Sequence, residues 1–164
     1  MGVKLEHRLG IPAPAEAIWK ILADIDGWSR WNPLYPAASG VIRMGAPLDL
    51  QVAIAGQPIR SIRPLVVDWI PNEQLHWRLT MLGGLVKSTR YFEIEELAPG
   101  ACIFSNGELF DGLIGPTLAK RMAGPIRAGF AALGEALKAE VEGSASPTGQ
   151  DETAEQSPPP SLAQ

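Results

Sequence analysis

The stretch from Pro116 to Glu142 constrains this chain more than any other part of it. Leu118, Met122, Ile126, Phe130, Leu133, Leu137 and Val141 recur every three or four residues, which puts them on one stripe of a long amphipathic helix. Such a helix needs a broad apolar surface to cover its stripe. Gly124-Pro125 falls inside it, and a kink is expected there because Pro125 has no amide hydrogen and its ring crowds the preceding turn.

The covering surface must come from the residues before the helix, and these read as strands. Val3, Leu5, His7 and Leu9 alternate in a first strand that Pro12 and Pro14 end. From Pro14 the pattern turns helical, with Ile18, Trp19, Leu22 and Ile25 on one face, and a short second helix fits before Pro33 and Pro36. Six strand signals follow: SGVIRM, PLDLQVAIAG, PIRSIRPLVVDWI, QLHWRLTML and the two arms of a hairpin about Pro99-Gly100. Pro64 inside the third of these predicts a bulge or an edge, since it cannot donate to a ladder. The order strand, two helices, six strands, long helix predicts an α+β arrangement with a curved antiparallel seven-stranded sheet. A strongly curved sheet cannot lie flush along one kinked helix, so an internal, largely apolar cavity is expected between them.

Composition removes several function classes. The 164 residues are 46% hydrophobic, enough for one domain with a sizeable core, and the net charge of -4 gives no general attraction to a phosphate backbone. Nucleic acid is therefore not an expected partner. No run approaches the ~20 apolar residues that span a bilayer, and the start lacks the apolar core of a signal peptide. Membrane insertion is thus not expected, and a cytoplasmic location is the default expectation. One cysteine and two histidines offer no metal-ligand spacing, and no dinucleotide fingerprint or phosphate loop appears, so no cofactor is expected. Residues 143–164, rich in Ser, Pro, Gly, Gln and acidic types, read as a disordered tail after a domain at 1–142.

The hairpin carries the chemically informative residues. Phe92 and Ile94 share the even-numbered face of its first arm, and Cys102, Phe104 and Phe110 share the even-numbered face of its return arm. Asn106 and Glu108 lie on that same apolar face. A loop of three or five residues centred on Pro99-Gly100 keeps the two apolar faces together. It sets Ile94 opposite Phe104, Phe92 opposite Asn106 and Arg90 opposite Glu108, whereas a loop of two or four turns one apolar set to solvent. An unpaired charge there would cost several kcal/mol, as an order of magnitude, so an Arg90–Glu108 ion pair helped by Asn106 is expected.

Two segments resemble a known superfamily. IPAPAEAIWKILADIDGWSRWNP is similar to the opening helix-helix segment of SRPBCC (START-like, birch-allergen-like) proteins. The run from Ser88 to Glu142 resembles the closing hairpin and C-terminal helix of the polyketide cyclase/dehydrase-like branch. The resemblance implies a helix-grip fold, with the sheet wrapped around the last helix and a cavity between them. It also implies a small hydrophobic ligand of lipid, polyketide or aromatic type. In cyclases of this kind the pocket supplies Arg, Glu, Tyr or His, which points here to Arg90 and Glu108. Tyr91 shares the outer face with Glu93 and Glu95. A paired, ionised Glu108 would be a weak base, which favours binding over turnover.

The residues expected around the ligand are Trp28, Trp31, Trp77, Arg90, Phe92, Phe104, Asn106, Glu108, Phe110, Met122 and Ile126. Binding or carriage is the leading reading. A cofactor-free cyclase or dehydratase and a protein-interaction module are the alternatives, and a homodimer is left open.

Overall fold

A computed structural model describes residues 2–145. β1 (Val3–Ile11) is followed by α1 (Ala15–Ala23) and a 3-10 turn, Ile25–Arg30. Next come β2 (Ala37–Gly40), β3 (Leu48–Val52), β4 (Arg60–Ile62), β5 (Leu65–Ile70), β6 (Gln74–Met81), β7 (Val86–Ala98) and β8 (Ala101–Asp111). The chain closes with α2 (Gly115–Ala145). Antiparallel strands form one sheet in the order β1-β8-β7-β6-β5 and a second in the order β2-β3-β4. The fold is an α+β helix grip.

Eight strands in two sheets replace the seven expected in one. The extra strand arises at Pro64, where the segment read as a single strand divides into β4 and β5. Pro64 has no amide to donate, and its carbonyl instead accepts from the Leu48 amide at 2.9 Å. β4 then pairs with β3, and β5 with β6.

The β7–β8 hairpin has the expected register: Ile94 opposes Phe104, Phe92 opposes Asn106 and Arg90 opposes Glu108. Its loop differs from the expected one. Ala98 pairs with Ala101, leaving a two-residue Pro99-Gly100 turn, and a bulge between Glu96 and Ala98 restores the face that such a turn alone would reverse. The ring of Pro99 excludes the positive φ that a primed hairpin turn needs at its first position, while Gly100 supplies φ +77° at the second. The extra residue, Leu97, absorbs the mismatch in twist.

α2 runs through Pro125 as one helix rather than breaking there. Proline still removes the hydrogen bond that the Arg121 carbonyl would receive from residue 125. The two halves of α2 pack differently. Leu133, Leu137 and Val141 are buried against the sheet, and Gly134 lets the helix lie close on His7 and Leu9 of β1. His7 Nδ1 is buried there without a hydrogen-bond partner among the described residues. Toward the N-terminus Leu118 is exposed and Met122 only half-buried, so the helix leaves space above the sheet.

The helix includes Gly143–Ala145, which the sequence assigns to a tail; residues 146–164 of that tail lie outside the described residues. Among the described residues no helix is long and apolar enough to cross a membrane, and no three His, Cys, Asp or Glu side chains group to hold a metal ion.

Candidate functional site

Beneath the N-terminal half of α2 lies a cavity of about 170 Å³, open at one end. Leu79 and Met81 of β6, Phe110 of β8 and Met122 and Ile126 of α2 supply apolar wall, with Ile54 and Pro58 at the side of β3 and β4. Trp77, Tyr35, Ser88, Arg90 and Glu108 form one polar corner in this lining. The pleat explains the grouping: Ser88 and Arg90 share the inner face of β7 with Phe92, and Glu108 and Phe110 share the inner face of β8.

Arg90 is 3% exposed, and four of its five N–H donors are engaged with uncharged partners. Its Nε donates to the Tyr35 hydroxyl at 3.1 Å, Nη2 to Asn106 Oδ1 at 3.0 Å, and Nη1 to the carbonyls of Gly107 at 2.8 Å and Tyr91 at 3.2 Å. Its guanidinium carbon stands 4.0 Å from the centre of the Phe130 ring and 5.2 Å from that of Phe92. Four oxygen acceptors and two ring faces thus replace the water that burial removes.

The expected Arg90–Glu108 ion pair does not form. The two residues are register partners, yet no carboxylate lies within ion-pair distance of Arg90 among the described residues. Asn106, expected to assist the pair, takes Arg90 for itself and donates from Nδ2 to the Phe130 carbonyl of α2 at 3.2 Å. Glu108 instead accepts from the Ser88 hydroxyl. Burial pushes the Glu108 carboxyl above its ordinary range, outweighing the opposing influence of the nearby Arg90 charge and the Ser88 hydrogen bond. Burial thus works against the ionised carboxylate that pairing was expected to hold.

Tyr35 was not among the sequence candidates. It lies in the loop before β2, where Asn32 Oδ1 accepts from the amides of Leu34 at 3.0 Å and Tyr35 at 3.2 Å, a side-chain-built turn that fixes the ring. Its oxygen accepts from Arg90 while its own hydrogen is free to donate. Burial pushes the phenol up, with Glu108 adding to the effect and Arg90 opposing it, so Tyr35 is a neutral donor. Ser88 was also missed, although its even number on β7 marked it as inward. The corner therefore presents one phenolic donor and one carboxyl group at the end of an apolar chamber.

Of the candidate residues, Trp77, Arg90, Glu108, Phe110, Met122 and Ile126 line this cavity. Trp28, Phe92, Phe104 and Asn106 do not: they are packed into the core behind it. Trp28 lies 5.5 Å from Tyr35, 5.9 Å from Trp77 and 5.5 Å from Phe92 between ring centres, and Phe92 lies 5.5 Å from Phe104. Trp31 faces elsewhere, into a groove with Lys20 of α1 and Glu140 of α2. Tyr91 is on the outer face as expected and donates to Glu6.

Residues 2–142 match the family model described as polyketide cyclase/dehydrase and lipid transport. No curated protein matches the sequence significantly. Among solved structures, the Zhui aromatase/cyclase from Streptomyces sp. R1128 is 20% identical with a TM-score of 0.69, the alignment covering 87% of this chain and 94% of that one. A START superfamily protein from Mycobacterium smegmatis is 23% identical with a TM-score of 0.67, covering 86% and 98%. A norcoclaurine synthase point mutant from Thalictrum, complexed with a transition-state analogue, is 16% identical with a TM-score of 0.68, covering 89% and 98%. At these identities the structural likeness speaks for the fold.

Proposed function

This chain belongs to the polyketide cyclase/dehydrase and lipid transport family of the SRPBCC superfamily, and from that membership we propose that it holds a small, largely apolar molecule bearing a carbonyl or hydroxyl oxygen. The observation that carries this reading is the unspent Tyr35 hydroxyl beside Glu108 at the inner end of an otherwise apolar cavity. Such a site gains affinity from its walls and orientation from a few polar groups. About 170 Å³ accommodates roughly one aromatic ring, by comparison with cavities of ~150 Å³ that bind benzene. The remainder of a longer ligand would extend through the open end.

Arg90 serves as support in this reading. Four of its five N–H donors are held by Tyr35, Asn106 and two carbonyls, so its main part is to orient and polarise the phenol. Phe110, Met122, Ile126 and Trp77 supply the apolar contact. Extraction of freshly purified protein followed by mass analysis tests the proposal. One apolar, oxygen-bearing molecule is expected with the wild type, and much less of it with Tyr35→Phe and Glu108→Gln combined. Recovery of no such molecule, together with no thermal shift on adding 2-naphthol, would count against it.

A second reading has its own support. Glu108, raised by burial above the ordinary carboxyl range and held by Ser88 at the cavity wall, is placed to exchange a proton with a bound oxygen, as cofactor-free cyclisation or dehydration requires. The Zhui neighbour is itself an aromatase/cyclase. Glu108→Gln distinguishes the two readings: lost turnover with retained binding favours catalysis, and weakened binding alone favours carriage.

A further inference from the structure

Two turns meet beside the open end of the cavity. The Ile114 amide donates to the Leu85 carbonyl at 3.1 Å, joining the β6–β7 turn to the β8–α2 turn, and the Leu118 amide donates to the Ile114 carbonyl at 3.0 Å. The joined turns carry Leu82, 67% exposed, and Leu113, 81% exposed, together with exposed Leu85, Ile114 and Leu118. Leu118 and the neighbouring Met81 line the cavity, so this apolar ridge forms one lip of its mouth. Ile59 stands exposed between Pro58 and Arg60, which line the cavity from the other side.

The presentation of Leu82 has a backbone cost. Its φ is +52°, followed by Gly83 at +65° and Gly84 at +98°. That region suits Gly or Asn; a leucine held in it with its side chain in solvent gains nothing within the domain. The charges around the lip are biased. Lys87 and Asp111 face each other in register and offset. Arg60 and Arg121 form no ion pair among the described residues, and Arg121 shares the helix face of Leu118 at a spacing of three. The lip is thus cationic on a chain of net charge -4.

We infer that this lip docks on an anionic lipid bilayer, with Leu82, Leu85, Leu113 and Ile114 entering the interface and Arg60 and Arg121 meeting headgroup phosphates. Separate aliphatic tips flanked by arginines suit a layer that deforms around each tip. The net negative charge of the rest of the chain orients it away from such a surface. The inference concerns only the lip and is independent of what the cavity holds.

Cosedimentation with vesicles tests it, using phosphatidylcholine mixed with phosphatidylglycerol and phosphatidylcholine alone. The wild type is expected to pellet with the mixed vesicles, less so as salt is raised, and weakly with phosphatidylcholine. Leu82→Asn with Leu113→Asn should reduce partitioning on the order of 100-fold. Because Asn tolerates the left-handed conformation at 82, the variant should melt no lower than the wild type, which separates docking from folding. Binding of 2-naphthol without vesicles should be unchanged, so failure here is distinct from failure of the cavity reading. No pelleting of the wild type, equal pelleting of the variant, or equal binding to both vesicle types would overturn the inference. So would a dimer in sedimentation equilibrium that the two substitutions dissociate, since a second copy would then be the occupant.

Discussion

Glu108 and Arg90 lie across from one another on adjacent strands, yet the structure gives each a different set of partners, and their chemistry follows from that separation. A carboxyl group raised above its unfolded value of about 4.5 binds its proton more tightly in the folded chain. The sign of the linkage is then fixed: the contribution of Glu108 to stability is fully present below pH 4.5 and declines as pH rises through its folded value. Glu108→Gln, which keeps the volume and an acceptor for Ser88, should therefore flatten the fall in melting temperature over that rise. A variant whose melting profile tracks the wild type would place the carboxyl in water. Tyr35→Phe removes the phenolic donor and leaves Arg90 Nε without an acceptor. Affinity for an oxygen-bearing probe such as 2-naphthol should fall about two- to tenfold by calorimetry, the measure of one neutral hydrogen bond of ~0.5–1.5 kcal/mol. At this scale the pairing of positions 90 and 108 was legible, because strand parity and an apolar-face constraint leave one register. Tyr35 was not: its place depends on the Asn32 turn and on an arginine 55 residues away.

The hairpin and α2 show how whole elements respond to residues that appear to break them. Pro99-Gly100 forces a tight turn, and the bulge at Leu97 returns the strand to the register that its apolar face requires. α2 tolerates Pro125 because packing of its C-terminal half on β1 holds the axis while the other half stands over the cavity. Asn106 links the two elements through Arg90 on one side and the Phe130 carbonyl on the other. Asn106→Leu keeps the volume but strands a guanidinium donor in the core. Chemical denaturation should show a loss of about 2–4 kcal/mol, larger than a surface change would give, since hydrogen bonds to charged groups are worth ~1.5–3 kcal/mol. A loss below 1 kcal/mol, on the order of an ordinary surface substitution, would mean that Arg90 finds another acceptor. The break at Pro64 was visible as an irregularity, but the reassignment of β4 to a second sheet was not. It depends on where β3 lies, and hence on long-range pairing.

For the whole molecule, a cavity beneath one half of a helix couples stability to occupancy. If the protein is purified with its ligand, passage over a hydrophobic resin should lower its melting temperature. A ligand present at 100 times its dissociation constant contributes about 2.7 kcal/mol, roughly 5–10 °C for a domain of this size. An unchanged melt after verified removal of the extractable molecule would show that the molecule was bound elsewhere. By itself the sequence determined the order of elements, apart from the division at Pro64, and the apolar face of each, because the periodicities of strands and helices are local properties of the chain; the helix grip was implied by the resemblance to SRPBCC proteins. Only the tertiary structure decided which polar groups meet in the cavity, that Arg90 is satisfied without Glu108, and that Trp28 and Phe104 are core while Tyr35 is wall. Those outcomes depend on competition among partners far apart in the chain, and the winner is set by distances of an ångström or two that no local pattern encodes.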